Sequence, residues 1–161
     1  MDAPEEFEWL FATQYRSIVW SANVILHDYS KAEEIAQDAF VSLLENWKKV
    51  AQYDRPGAWV RRVAIRLATR AAKREAQGAQ LAAAWPTVAD VQPVDLDLMA
   101  AIRQLPPRQR AVIALFYIED LPVSEVADIL SCGTATVSVH LHRARKRLTE
   151  LLGEEVEASV G

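Results

Sequence analysis

Every sustained apolar pattern in this chain repeats at three and four residues, and none alternates. That spacing lines apolar side chains along one face of a helix, whereas a half-buried strand needs period two. Phe7, Phe11, Tyr15, Ile18, Ala22 and Ile25 form the first such face, over 7–26. Ala32, Ile35, Ala36, Ala39, Phe40, Leu43, Leu44 and Trp47 form the second, with Ser30 and Glu33 as a capping box in front of it. A loop over 48–57 carries the turn signal Asp54-Arg55-Pro56-Gly57. Val60, Val63, Ala64, Leu67, Ala68 and Ala71 then predict a third helix over 58–74.

Residues 77–94 keep no period and contain Gly78, Pro86 and Pro93, which reads as a linker. Beyond it Asp97 is the expected N-cap of a short helix carrying Leu98, Ala101, Ile102 and Leu105. Pro106-Pro107 stops that helix and can open the next, because proline is tolerated in a first helical turn. Val123–Leu130 and 134–152 are two further helices separated by the turn Ser131-Cys132-Gly133. The expected fold is all-α: two small helical domains, 1–75 and 96–161, joined by a flexible linker over 76–95. The C-terminal domain contains a helix-turn-helix, two helices joined by a tight turn with the second one basic.

Composition narrows the function. The chain has 161 residues, a net charge of −4 and one cysteine, so no internal disulfide framework exists. No apolar run reaches the roughly 20 residues of a membrane span. Asp2, Glu5, Glu6 and Glu8 are the opposite of a basic secretory start. The expected location is cytoplasmic. The charges are segregated: 58–74 holds Arg61, Arg62, Arg66, Arg70, Lys73 and Arg74 with no acid, and 134–148 holds Arg143, Arg145, Lys146 and Arg147 with none.

A helix-turn-helix sets its second helix in the DNA major groove. Ala127 is the small residue the helix crossing needs, and Val137 the buried aliphatic. Thr136, Ser138, Val139, His142, Arg143 and Lys146 lie on the outward face. The third helix carries Arg62, Arg66, Arg70 and Lys73 at helical steps, with Tyr53 and Trp59 bracketing the turn before it. Aromatic platforms beside a cationic track are how single-stranded bases are held. A solvated basic face, and a core role for Trp59, remain open at this point. No enzyme is expected: the sequence lacks a glycine-rich phosphate loop and a nucleophile elbow. His140 and His142, two apart on a helix, make a poor metal pair. No metal and no cofactor is expected.

The segments AEEIAQDAFVSLLENW (32–47), AWVRRVAIRLATRAAKR (58–74), LPPRQRAVIALFYIEDLPVSEVADIL (105–130) and TVSVHLHRARKRL (136–148), in this order, resemble the extracytoplasmic-function type of bacterial sigma factor. The resemblance implies a subunit that directs core RNA polymerase to promoter DNA and starts transcription. It implies that Glu33, Glu34, Gln37 and Asp38 meet the polymerase. Tyr53, Trp59, Arg61, Arg62, Arg66 and Arg70 would face the minus-ten strand. Thr136, Ser138, Val139, His140, His142, Arg143 and Lys146 would face the minus-thirty-five duplex. An anti-sigma protein is a further candidate partner, and the acids Asp90, Asp95 and Asp97 would mimic phosphate inside the polymerase. The chain departs from the family pattern at four places. Arg66 and Arg70 stand where Asn and Asp are frequent. Ser138-Val139-His140 replaces a more basic run, and Ser131 replaces a turn glycine, which predicts a right-handed turn there. The rival functions are a stand-alone helix-turn-helix regulator, and a helical interaction module that has lost DNA binding.

Overall fold

A computed structural model describes residues 4–78 and 96–153. Among them all regular structure is helical. The first lobe comprises α1 (Pro4–Leu26), α2 (Tyr29–Glu45), the single turn α3 (Trp47–Val50) and α4 (Pro56–Gly78). The second comprises α5 (Leu96–Arg103), α6 (Pro107–Ile113), a π-helical turn (Ala114–Ile118), α7 (Val123–Leu130) and α8 (Thr134–Leu152). The linker reading, with Asp90 and Asp95, lies outside the described residues.

The first lobe is a bundle of α1, α2 and α4 around Ile18, Ile25, Leu43, Val60 and Ile65, all fully buried. Phe40 is buried too, and Phe7, Phe11 and Tyr15 pack around its ring at centroid distances of 5.1–6.2 Å. In the second lobe Leu115, Val112, Val126, Val137 and Leu148 fill the centre. Burying side chains of this size stabilises by about 1.5–3 kcal/mol each, which is what holds helices as short as α6 and α7.

Three local expectations change. The cap of α2 is Asp28, whose carboxylate accepts from the Lys31 amide at 3.1 Å, rather than Ser30. His27 takes φ 55°, ending α1 and setting Asp28 in the extended geometry a cap needs. α4 begins at Pro56 and runs to Gly78, longer at both ends than 58–74, and α3 interrupts the loop. Asp97 sits inside the first turn of α5, not at its cap.

Ser131 corrects a fourth. Its φ 55° and ψ 49° are left-handed, not right-handed. The backbone at the end of α7 demands that geometry: the Cys132 amide bonds back to the Ala127 carbonyl at 3.0 Å, closing the helix. A serine there carries a steric cost of roughly 1–2 kcal/mol that glycine avoids.

The two lobes pack against each other. α5, α6 and the π turn rest on α1, and α6 and α7 rest on α4. A cleft of about 380 Å³ lies along this junction, lined among others by His27, Glu75, Arg103 and Arg110.

Candidate nucleic-acid interface

The α8 surface is open. Thr136, Ser138, Val139, His142, Arg143 and Lys146 are all exposed, while Val137, Leu141, Ala144 and Leu148 on the opposite face are buried. Ala127 is buried on α7, which packs against α8. His140 is the exception among the residues predicted to face the duplex. It is half-buried, its Nδ1 is enclosed without a hydrogen-bond partner, and burial followed by Arg108 and Arg143 lowers its pKa. At neutral pH it is an uncharged ring wedged at the base of the face.

The basic run on α8 divides by role. Arg145 donates to the Tyr117 hydroxyl at 2.6 Å and lies over the Phe116 and Tyr117 rings at 5.7 and 5.5 Å, which pins α8 to the π turn. Arg147 pairs with Glu150 one turn on, at 3.4 Å. Arg143 and Lys146 form no ion pair with another described residue. They are the two cations this face can offer to phosphate or guanine.

α4 is different. Arg61 forms an ion pair with Glu119 of the second lobe at 3.0 Å, with side-chain exposures of only 14% and 4%. The Ser17 and Ser21 hydroxyls donate to the same carboxylate at 3.1 and 2.5 Å. Arg62 pairs with Asp128. Arg66 donates to the Ile129 carbonyl at 3.0 Å and to the Ser131 hydroxyl at 2.7 Å. Just before α4, Arg55 pairs with Glu125 at 2.8 Å. Three of the four predicted minus-ten arginines therefore face protein here; Arg70 is exposed. Trp59 is half-buried against the core, and Tyr53 is exposed.

The π turn explains how Glu119 arrives. The Glu119 amide bonds to Ala114 and the Leu121 amide to Leu115, wider than the α-helical span, and Asp120 follows at φ 54°. This widened turn points Glu119 back at α1 and α4. The sequence shows the acid but gives no signal for a π turn. Nor does it disclose Arg110, a guanidinium at the junction with 9% exposure, whose Nε lacks a partner and whose pKa is lowered by burial first.

The α2 surface is acidic and open. Glu34, Gln37, Asp38 and Glu45 are exposed, as is Val41, and Glu33 is half-buried. Gln37 reaches the Tyr15 hydroxyl at 3.4 Å. Among the described residues no cluster of three or more metal-ligating side chains exists, and no helix is long and apolar enough to cross a membrane.

A model of Sigma-70 region 2 matches residues 10–77, and one of Sigma-70 region 4 matches 95–148. The RNA polymerase sigma-E factor of Streptomyces avermitilis is 33% identical over 152 residues, covering 91% of this chain and 85% of that protein. The chain belongs to the extracytoplasmic-function sigma factors. The ECF RNA polymerase sigma factor SigW of Bacillus subtilis is 31% identical over 147 residues, 80% of this chain and 79% of its own. The fold is that of the sigma factor RpoE of Bartonella quintana, solved in complex with the anti-sigma factor NepR. The TM-score is 0.75 at 21% identity, over 93% of this chain and 98% of that one. As a sigma factor, the chain is a promoter-specific transcription initiation subunit that works with core RNA polymerase.

Proposed function

We propose a division of labour among three surfaces. Glu33, Glu34, Gln37 and Asp38 on α2 dock the polymerase. Tyr53, Trp59, Arg61, Arg62, Arg66 and Arg70 receive the minus-ten strand. α8 holds the upstream duplex through Arg143 and Lys146, with Thr136, Ser138, Val139, His140 and His142 beside them. The domain limits that go with it are 1–75 and 96–161, with 76–95 between. The observation that carries this reading is the coexistence on one chain of an exposed acidic α2 face and an exposed basic α8 face. A stand-alone regulator needs only the second.

The mechanism is binding, not covalent chemistry. Unpaired bases seated on α4 would lower the free energy of melted DNA by stacking, at about 1–3 kcal/mol per base. α8 would supply register and phosphate neutralisation. An anti-sigma protein is a further candidate partner, as the sigma factor RpoE of Bartonella quintana was solved with the anti-sigma factor NepR. Co-purification with core polymerase, followed by run-off transcription on genomic fragments, tests the proposal. Wild-type chain should yield defined transcripts, and Glu34→Lys/Asp38→Lys should lose both polymerase and transcripts. Retention of polymerase by that variant would remove α2 from the docking role.

A further inference from the structure

The cleft at the lobe junction gathers positive charge that the described acids do not match. His27 just after α1, Ala72 and Glu75 on α4, Arg103 ending α5 and Arg110 on α6 all line it. Arg110 belongs to the run that α6 buries with Ala111, Val112 and Ile113, so its guanidinium is carried inward to 9% exposure. Arg108, two residues earlier, reaches the Leu130 carbonyl at 3.0 Å. Arg110 finds no such acceptor, and its Nε is enclosed without a hydrogen-bond partner. His27 Nδ1, on the same cleft, is enclosed without one as well. A buried charge that lacks a counter-ion is costly, so an anion that supplies one is favoured there.

The neighbouring acid does not meet that need. Glu75 lines the cleft, but its carboxylate is held by Lys31. That pair cancels, which leaves Arg103 and Arg110 as two positive charges. Neither forms an ion pair with a described residue. For Arg110, burial outweighs the attraction of Glu75. His27 is lowered by burial first, then by Arg103 and Arg110, so the three groups share one field. Two charges match a dianion, and planar guanidiniums pair with phosphate oxygens through parallel N–H donors. The cleft measures about 380 Å³, within the roughly 300–1,000 Å³ range of small-molecule sites. Leu26, Ala72, Leu105 and Pro106 add an apolar wall.

We propose that this cleft is a binding site for a small organic phosphate. The dianionic phosphate accepts from Arg110 Nε, from the Arg103 guanidinium, and from His27 Nδ1 in the tautomer that carries its proton there. The carbon body lies against Leu26, Ala72 and Pro106. Such a ligand touches none of the residues assigned to DNA or polymerase.

The test is calorimetric titration of the full chain at constant ionic strength, without divalent metal. The titrants are inorganic phosphate, glycerol phosphate, adenosine monophosphate and, as a carboxylate dianion, succinate. At least one organic phosphate should bind with one-to-one stoichiometry, and more tightly than inorganic phosphate. Arg103→Gln, at a half-buried position, should weaken that binding about tenfold, as the loss of one charge-assisted hydrogen bond does. Arg110→Met, which keeps the apolar stem, should weaken it at least as much. Arg143→Ala/Lys146→Ala removes the exposed cations of α8 and should leave it unchanged. Preference for adenosine monophosphate supports the site with a nucleotide as its ligand; preference for glycerol phosphate supports it with a smaller metabolite. Inorganic phosphate binding as tightly as either overturns the organic ligand, and succinate binding as tightly overturns the phosphate. No binding of any titrant at millimolar concentration, wild-type binding by Arg103→Gln, or loss in the α8 variant alone overturns the site.

Discussion

The two basic helices of this sigma factor use arginine in opposite ways. On α8 the cations that matter, Arg143 and Lys146, project from a face whose packing partners all lie on the other side. On α4, Arg61, Arg62 and Arg66 are spent on the other lobe. Both helices read alike as sequence: an apolar stripe with a basic stripe beside it. What separates them is a set of acids more than 50 residues downstream, and a π turn that aims one of them. A basic stripe therefore defines what a helix can bind, and the rest of the chain decides when that surface is available.

The largest expected effect is on the buried pair. Glu119→Ala leaves the Arg61 guanidinium enclosed without its carboxylate, and Ser17 and Ser21 without their acceptor. Removing one partner of a buried pair costs about 3–5 kcal/mol. Urea unfolding of the full chain should show this as a lower midpoint. Glu119→Gln, which keeps an acceptor oxygen for the two serines, should cost less. Equal losses in the two variants would mean that the acceptor for the two serines contributes nothing and the lost charge accounts for the whole effect.

On the open side the effect is on binding. Arg143→Ala should weaken duplex affinity and lower the slope of log affinity against log salt by about one unit, the signature of one lost phosphate contact. Ser138→Arg restores a cation at the groove-facing start of α8. It should tighten a cognate duplex by about 1–3 kcal/mol if the new side chain reaches a guanine. Anisotropy titrations across a salt series check both. The matching change on the closed side, Arg66→Ala, should leave duplex affinity untouched and expand the chain. If Arg143→Ala changed neither affinity nor slope, α8 would lose its assignment.

Much of this was legible in the residues, for reasons that particular positions make plain. Phe40, Ala127 and Val137 were readable as core because helical spacing alone puts them on an inward face, and all three are buried. The α2 and α8 surfaces were readable because an exposed face needs no partner to define it. Junction contacts were not. The grip of Arg66 on Ser131 joins residues 65 apart, and periodicity carries no information at that range. The resemblance counts His140 among the residues facing the duplex, yet it flanks the buried stripe of α8 and is half-buried. At Ser131 the backbone bond from Cys132 to Ala127 outweighs the side chain's preference for a right-handed turn.

The smallest effect separates the two regions by pH. His27 lies at the lobe junction, and its pKa is lowered by burial first, then by the positive charges of Arg103 and Arg110. Glu75, the acid lining the same cleft, is already held by Lys31. His140 is lowered in the same sense, but inside the second lobe. For both rings the unfolded chain takes up a proton at higher pH than the folded one. Their contribution to stability is therefore complete above about pH 6.5, the ordinary histidine value, and is lost as the pH falls below it. The two should part company in compactness. Acidification charges His27 beside two guanidiniums that belong to the other lobe, so the radius of gyration should rise from pH 7.5 to 5.5. His27→Gln should flatten that rise while His140→Gln leaves it in place. If the two substitutions flattened it equally, the junction would not be where the proton acts, and the contrast between an open and a closed helix would have to rest on the ion pairs alone.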